Sequence, residues 1–427
     1  MRRRTLILAA VAAVALVGTA GCGVSNSAGS APGGISSTLT GPSTSVSAAG
    51  GATSAQPGGT STASSSASAT SPACGGAGTA TAAGVLNATQ FVSATQGWVV
   101  GQDAILATSD GGAHWATQLG GQLNLTSVDF VNGQDGWAVG TTSLLATTDG
   151  GAVWTPLAEP CPVIRSVHFL SPTAGYAVAG GGNAAGADPQ FPATAGVVLV
   201  TSDGGHTWHP LPAPAGVQTV CFSDPQHGWL GANGRLYRTS DGGDNWTVLT
   251  SSAGAVGDGY GAAMYVECAE DGSAWALRVG PGAGMSQEPH VGYHGDQSGA
   301  TALFAEQYFQ TPGAMPTAQA PGSYAGPFSA LSPTAAVFID NCVACGPGTA
   351  PWDLVTNSGA TLAKEGNVGG ITNAVAASFV SPEVGWVVGT ELSFQGSTSR
   401  TQQRVVATTD GGRTWQIQYA GPWQASS

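Results

Sequence analysis

The sequence carries very little charge, and positive charge is scarcer still. Only 8% of the 427 residues are charged, and Lys364 is the single lysine. The 11 basic residues face 24 acidic ones, for a formal net charge of −13, and no basic cluster follows the three arginines at positions 2–4. Proteins that bind nucleic acid or anionic lipid surfaces use clustered Lys and Arg for it. Nucleic acid and anionic lipid surfaces are therefore poor partners for the folded part of the chain, and no nucleic-acid partner is assigned.

Residues 23–73 lack charged and aromatic residues altogether, and consist almost wholly of Ser, Thr, Gly, Ala and Pro. Such a segment has too little apolar surface to offset the entropy lost on folding. We predict that residues 22–73 form a lipidated cysteine followed by a disordered linker. As a flexible coil, the 51 residues after Cys22 would span roughly 40 Å.

The N-terminal stretch MRRRTLILAAVAAVALVGTAGC combines three arginines, an apolar run and small residues before Cys22. This order is typical of a signal peptide, and Thr19-Ala20-Gly21-Cys22 resembles a bacterial lipobox with Thr in place of Leu. We predict a signal peptide over residues 1–21, lipidation of Cys22, and a position at the outer face of the bacterial cytoplasmic membrane or the cell surface. Ordinary secretion with an incidental Cys22 is the alternative. Removal of the signal leaves 8 basic and 24 acidic residues, a net charge of −16.

One turn sequence recurs five times with the pattern [ST]-D-G-G-x-x-W. The copies occupy 107–115, 146–154, 200–208, 238–246 and 407–415, and their aspartates are Asp110, Asp149, Asp203, Asp241 and Asp410. Gly accepts positive φ, and a short Asp side chain accepts hydrogen bonds from nearby amides. Runs with β propensity lie on both sides, so each copy is predicted to join two antiparallel strands.

A second pattern precedes each turn: a hydrophobic strand, a short polar turn and a strand with an aromatic anchor. The anchors are Trp98, Trp137, Tyr176, Trp229, Trp275, Val337 and Trp386. The fifth and sixth repeats are weaker matches to the pattern. Four strands, a to d, at a period of about 40 residues plus insertions predict an all-β propeller of seven four-stranded blades. We place it at residues 74–427, and 282–325 could hold an eighth repeat.

The S-x-D-G-G-x-x-W turns resemble the Asp-box of the BNR repeat, which occurs in sialidases, sortilin-type receptors and photosystem II assembly factors. In that family the box lies between strands c and d, which implies a structural role for the five aspartates. Ten of the 12 tryptophans occupy strand b or follow a box. We predict that they pack between blades rather than bind a ligand.

Six cysteines remain after Cys22, an even number that favours disulfides over metal ligation in an exported chain. They are Cys74, Cys161, Cys221, Cys268, Cys342 and Cys345. Cys221 and Cys268 fall near the ends of strand a in adjacent repeats, and Cys342 and Cys345 share a loop in which nothing predicts the helix that a redox pair usually needs. The pairing stays open. His290 and His294 fall on a predicted strand, about 13 Å apart, so no metal site is assigned.

The topology places the a–b and c–d turns at one face and the b–c and d–a loops at the other. The long segments 180–196, 280–291, 341–350, 390–403, 250–262 and 306–325 all belong to the second face. Since variable loops on a rigid scaffold commonly bind partners, we predict a monomeric scaffold whose loop face binds a protein or glycan. No catalytic residue or cofactor is assigned.

A carbohydrate-active hydrolase is the alternative function. It would use loop-face acids such as Asp188, Glu288, Asp340 or Glu391. The resemblance to sialidases implies an arginine cluster for the substrate carboxylate, whereas the mature chain has only seven arginines.

Overall fold

Every element of the described chain is a β-strand, and the strands form seven antiparallel sheets. The computed structural model describes residues 84–141, 143–158, 160, 164–180, 196–249, 263–280, 290–306, 320–341, 347–395 and 398–425. Within them, no helix is long and apolar enough to cross a membrane. Each sheet takes its strands a to d from consecutive chain segments, so each sheet is one blade.

The first four blades are the shortest and most regular. Blade 1 comprises β1 (Leu86–Phe91), β2 (Gly97–Gly101), β3 (Ala104–Thr108) and β4 (Ala116–Gly120). Blade 2 comprises β5 (Leu125–Phe130), β6 (Gly136–Gly140), β7 (Leu144–Thr147) and β8 (Thr155–Pro156). Blade 3 comprises β9 (Ile164–Phe169), β10 (Gly175–Ala179), β11 (Val197–Thr201) and β12 (His209–Leu211). Blade 4 comprises β13 (Val217–Phe222), β14 (Gly228–Ala232), β15 (Arg235–Thr239) and β16 (Thr247–Val248).

The last three blades have longer strands. Blade 5 comprises β17 (Ala263–Cys268), β18 (Ala274–Val279), β19 (His290–Asp296) and β20 (Gly299–Glu306). Blade 6 comprises β21 (Tyr324–Ser332), β22 (Ala335–Asn341), β23 (Ala350–Thr356) and β24 (Thr361–Val368). Blade 7 comprises β25 (Asn373–Phe379), β26 (Gly385–Gln395), β27 (Thr398–Thr408) and β28 (Gln416–Ala420), and β29 (Gln424–Ala425) pairs with β27. The predicted seven-bladed propeller is confirmed, and 282–325 contributes strands to blades 5 and 6 rather than an eighth blade.

Aromatic stacking joins neighbouring blades, as the tryptophan positions predict. The strand-b Trp98 stacks on Phe130, which ends strand a of the next blade, at 3.5 Å between ring centroids. Its indole Nε1 donates to the Gly150 carbonyl in the box of that same next blade, at 3.2 Å. The Trp154 ring that follows this box contacts Phe130 edge-on at 5.8 Å. Such ring pairs contribute about 0.5–1.5 kcal/mol each beyond the area they bury.

A second set of contacts joins the strands a into a ring. One position of strand a, the fifth residue in blades 1–5 and the sixth in blades 6 and 7, contacts the next blade at the residue that follows the equivalent position there. The seven contacts are Gln90 Oε1 with Phe130 N (2.5 Å), Asp129 Oδ2 with Phe169 N (2.5 Å), His168 Nε2 with Phe222 O (2.8 Å), the Cys221–Cys268 disulfide, Glu267 Oε2 with Ala330 N (2.7 Å), Ser329 Oγ with Phe379 N (3.1 Å) and Ser378 Oγ with Phe91 N (2.9 Å). Because these contacts run from blade to blade around the whole molecule, the strands a surround the central axis.

Side-chain packing closes the ring between blades 7 and 1. Phe91 stacks on Trp386 with ring centroids 3.5 Å apart, and Trp386 Nε1 donates to the Gly111 carbonyl at 2.9 Å. These are the contacts that Trp98 makes with blade 2. Neither end of the described chain adds a strand to the blade at the opposite end. The seam between blades 7 and 1 is therefore held by side-chain contacts, as are the seams between the other blades.

Candidate functional site

The five Asp-box turns share one hydrogen-bond pattern, which the turn after β11 illustrates. Asp203 Oδ1 accepts from the amide of Thr207 at 2.9 Å and from the hydroxyl of Thr201 at 2.8 Å. The Thr201 hydroxyl in turn accepts from the amide of Gly205 at 3.0 Å. The hydrogen bonds from Thr207, together with that from Thr201, lower the pKa of Asp203 to about 2. The carboxylate therefore accepts the hydrogen bonds that link the two ends of the turn.

A buried threonine lies two residues before each aspartate, at the position written S in the pattern S-x-D-G-G-x-x-W. It is at most 5% exposed in every copy, and the five are Thr108, Thr147, Thr201, Thr239 and Thr408. Both box glycines have positive φ, +75° and +90° at Gly204 and Gly205. The identical Thr in all five copies was the sequence signal for this role, because a threonine that only faces solvent need not recur.

Each box also docks on the a–b turn of its own blade. The amide of the first box glycine donates to a carbonyl of that turn, as Gly111 does to Thr95 at 2.8 Å and Gly411 to Glu383 at 2.9 Å. The box turns and a–b turns consequently form one face of the disc, called here the box face. Its box turns are seven residues long between strands in all five copies, and six of its seven a–b turns are five residues long.

The opposite face, called here the loop face, holds the b–c and d–a connections. They range from two residues, between β14 and β15, to 17 residues, between β10 and β11 and again between β20 and β21. The c–d turns of blades 5 and 6, which lack a box, are shorter, at two and four residues. Short turns on one face and connections of very different length on the other are what the repeats predict. Two of the acids singled out there, Asp188 and Glu288, lie outside the described residues, as do Cys22, Cys74, Cys161, Cys342 and Cys345.

The segment 390–403 is not the irregular loop that the sequence suggested. Strands β26 and β27 continue as a two-stranded ribbon, in register from Gly385 opposite Thr408 to Gln395 opposite Thr398. Residues 390–395 and 398–403, called here the ribbon, extend beyond strand a of the same blade, which pairs with β26 only as far as Thr390. The alternating polar residues of this segment gave no core pattern, so pairing within the hairpin decides its structure.

Asp340 is not available at the loop face as an acid for catalysis. Its side chain is 1% exposed, and its Oδ2 accepts from Nε2 of His290 and from the amide of Gly322, both at 2.8 Å. Asp353 lies on the same side of blade 6, where burial, and then the charges of Asp340 and Glu365, raise its pKa to about 7. These carboxylates belong to the seam between blades 5 and 6.

Glu391 is likewise engaged, since its Oε2 accepts from the hydroxyl of Thr372 at 3.1 Å. His290 and His294 both lie on β19, and His294 Nε2 donates to the Pro333 carbonyl at 2.9 Å. Among the described residues, no three His, Cys, Asp or Glu side chains come together as ligands for a metal ion.

Arg400 of the ribbon, the adjoining Arg404 and Trp423 form a cluster. The guanidinium carbons of Arg400 and Arg404 each lie 5.6 Å from the ring centroid of Trp423, which is 38% exposed. Arg404 donates to Gly370 O at 3.0 Å and to Gln402 Oε1 at 2.9 Å. No carboxylate in the described chain forms an ion pair with either guanidinium. Trp423, outside both tryptophan patterns in the sequence, thus brings the C-terminal strand onto the ribbon.

Seven four-stranded blades with five Asp-boxes define an Asp-box β-propeller, which confirms the resemblance to the BNR-repeat family. Residues 79–211 match the family model described as photosynthesis system II assembly factor YCF48. No curated protein sequence matches the chain.

Several solved structures are similar to it at low identity. YCF48 bound to a D1 peptide is 15% identical, with 79% of this chain and 81% of that chain covered and a TM-score of 0.38. YCF48 from Cyanidioschyzon merolae is 17% identical, with 69% and 84% covered and a TM-score of 0.40. An ancestral GH74 enzyme is 13% identical, with 78% and 54% covered and a TM-score of 0.47.

Proposed function

We propose that the chain is a binding or assembly scaffold whose loop face holds a protein partner, and that it acts as a monomer at the outer face of the bacterial cytoplasmic membrane. The division between the two faces of the disc carries this proposal. Five turns of the box face share the same hydrogen bonds and no turn there exceeds seven residues, while the connections of the loop face range from two to 17 residues. A rigid ring that presents variable connections on one side is suited to recognition. The family model that matches residues 79–211 describes an assembly factor, which agrees with this function.

A hydrolase is the weaker proposal, because two of its four candidate acids already have structural partners. Asp340 is buried against His290, and Glu391 bonds to Thr372. Among the described residues, burial raises the pKa values of three carboxyl groups, those of Asp129, Glu267 and Asp353. Asp129 and Glu267 accept hydrogen bonds across blade seams. Buried seam positions do not offer a glycosidic bond the pair of accessible carboxyl groups that hydrolysis requires.

Photo-crosslinking from the two faces tests the scaffold. A crosslinking amino acid is placed on the full chain in intact cells at Thr141 or Arg235, which are exposed on the loop face. Matched positions on the box face are Val153 and His206. We expect one and the same protein to be captured from both loop-face positions and from neither box-face position. Capture from the box face alone, or hydrolysis of glycans by the purified propeller that one loop-face acid substitution abolishes, would contradict the proposal.

Membrane attachment through Cys22 is the second part of the proposal. We expect Cys22→Ser to move the protein from the membrane fraction to the soluble fraction, because the variant lacks the thiol that we propose is lipidated. The matched control is Ser25→Ala, which changes a neighbouring linker residue and leaves the lipidation position intact. A Cys22→Ser protein that stays with membranes through salt and carbonate washes would show that the anchor is elsewhere.

A further inference from the structure

Resting on the scaffold function proposed above, we infer that the inner edge of the ribbon binds an extended peptide segment of the partner by strand addition. The segment carries an acidic side chain flanked by apolar ones. Three features of the ribbon carry this inference: an open strand edge, an exposed apolar side chain beside it, and two arginines without carboxylate partners.

The open edge belongs to β26. The amide of Leu392 donates to Thr372 Oγ1 at 3.1 Å, so the main-chain groups of Leu392 face away from β27. In an antiparallel ladder the main-chain groups of successive residues face the partner strand and the open side in turn, so the main-chain groups of Phe394 also face away from β27. The other side of the ribbon differs, because β29 pairs with β27 at Arg400 and Thr401. The Leu392 carbonyl and both main-chain groups of Phe394 thus form a short edge beyond the end of strand a of blade 7.

Nothing on this edge discourages pairing. Natural edge strands are commonly protected by Lys, by Pro or by a bulge. The stretch from Glu391 to Gln395 contains neither residue, and its pairing with β27 has no bulge. Phe394 is 60% exposed and lies on the same face of the ribbon as Leu392. An added strand would place apolar side chains beside these two at alternate positions.

The opposite face of the ribbon supplies the charge. Ser393 is paired with Arg400 across the ladder, and Gly389 with Arg404, so both arginines lie on the face of Ser393. The residue of an added strand next to Ser393 would point to this face, since cross-strand neighbours share a face. A carboxylate there would lie on the face that carries both arginines, on a chain whose net charge is −13. Glu391 shares this face, but its Oε2 bonds to Thr372.

These positions specify the order of the peptide. Apolar residues lie opposite Leu392 and Phe394, and an acidic residue lies opposite Ser393. An acidic polysaccharide would use the arginines but not the strand edge. A peptide uses both, and the unprotected edge is what favours it.

A labelled peptide tests the inference. The probe is a fluorescein-labelled Ser-Thr-Val-Glu-Val-Thr-Ser peptide, and its binding to the full chain is followed by fluorescence anisotropy. A second peptide has Gln at the central position, and a third has Lys. We expect the Glu peptide to bind at least tenfold more tightly than the Gln peptide, and the Lys peptide not to bind.

Two variants separate the contributions of edge and charge. Phe394→Pro removes an outward amide without removing a bond to β27, and we expect it to weaken both the Glu and Gln peptides at least tenfold. Arg400→Gln with Arg404→Gln should weaken only the Glu peptide, again at least tenfold. Arg235→Gln on the loop face is the matched control and should change neither. A thermal melt of each variant shows whether the disc is intact.

Equal binding of all three peptides, unchanged binding by Phe394→Pro, or binding of polygalacturonate in place of the Glu peptide would overturn the inference. The crosslinks from Thr141 and Arg235 distinguish this failure from failure of the scaffold proposal. If the native partner is still captured while the ribbon variants have no effect on the peptide, the scaffold stands and the ribbon is not its peptide site. If capture also fails, the scaffold proposal fails with it.

Discussion

Replacing Glu267 with Gln should stabilise the propeller at alkaline pH and leave it nearly unchanged in acid. Glu267 Oε2 accepts from the amide of Ala330 across the seam between blades 5 and 6, at 2.7 Å. Burial of the carboxyl outweighs that hydrogen bond and raises its pKa from 4.5 to about 7. A glutamine oxygen accepts the same hydrogen bond without a charge, so the variant keeps the contact.

The sign of the pH dependence follows from the raised pKa. Below pH 4.5 the carboxyl is protonated in both the folded and the unfolded chain, and it contributes no pH dependence. Between pH 4.5 and 7 the unfolded chain loses the proton while the folded chain keeps it, so rising pH lowers the free energy of unfolding. Above pH 7 the cost is complete, and a shift of this size corresponds to about 3 kcal/mol.

The variant should therefore be more stable than the natural chain by about 2–3 kcal/mol at pH 8 and by less than about 1 kcal/mol at pH 5. Urea unfolding followed by tryptophan fluorescence at the two pH values measures the difference. Glu383→Gln, on an exposed a–b turn, is the matched control and should change little at either pH. A gain of the same size at both pH values, or a natural chain that is the more stable one at pH 8, would refute the reasoning.

Two further changes test the box and the disulfide. Thr201→Val keeps the shape of a buried side chain but leaves the Gly205 amide without its acceptor. We therefore expect the free energy of unfolding to fall by about 1–3 kcal/mol, while partner capture at the loop face persists. Asp203→Ala should also lower the free energy of unfolding. Loss of capture in a variant that melts normally would instead make the box a binding site. Changing both Cys221 and Cys268 to Ser should lower stability by about 2–4 kcal/mol, because the bond joins residues 47 apart, and unfolding with and without reductant measures it. A reductant that lowered the melting temperature of the double variant as much as that of the natural chain would show that the effect arises elsewhere.

The sequence alone was sufficient for the blades and the box. Strand order, turn positions and the seven-blade count depend on residues close together in the chain, and the recurrence of T-[ST]-D-G-G-x-x-W makes that local information redundant. The role of Asp203 follows in the same way, since its partners Thr201, Gly205 and Thr207 all lie within four residues of it. Local hydrogen bonds and periodic hydrophobicity can be predicted directly from the sequence.

Only the tertiary structure decided which residues join the strands a of neighbouring blades. The ring of strand-a contacts uses Gln90, Asp129, His168, Cys221 and Glu267 at one repeated position, with serines completing it, and no shared residue type marks that position. Burial of Asp340 likewise depends on His290, 50 residues away in the neighbouring blade. The sequence did not predict the ribbon, because its strands stabilise each other and bury no alternating apolar face against the disc. Contacts between distant segments depend on how the blades are placed around the axis, and that placement is a property of the closed ring rather than of any one repeat.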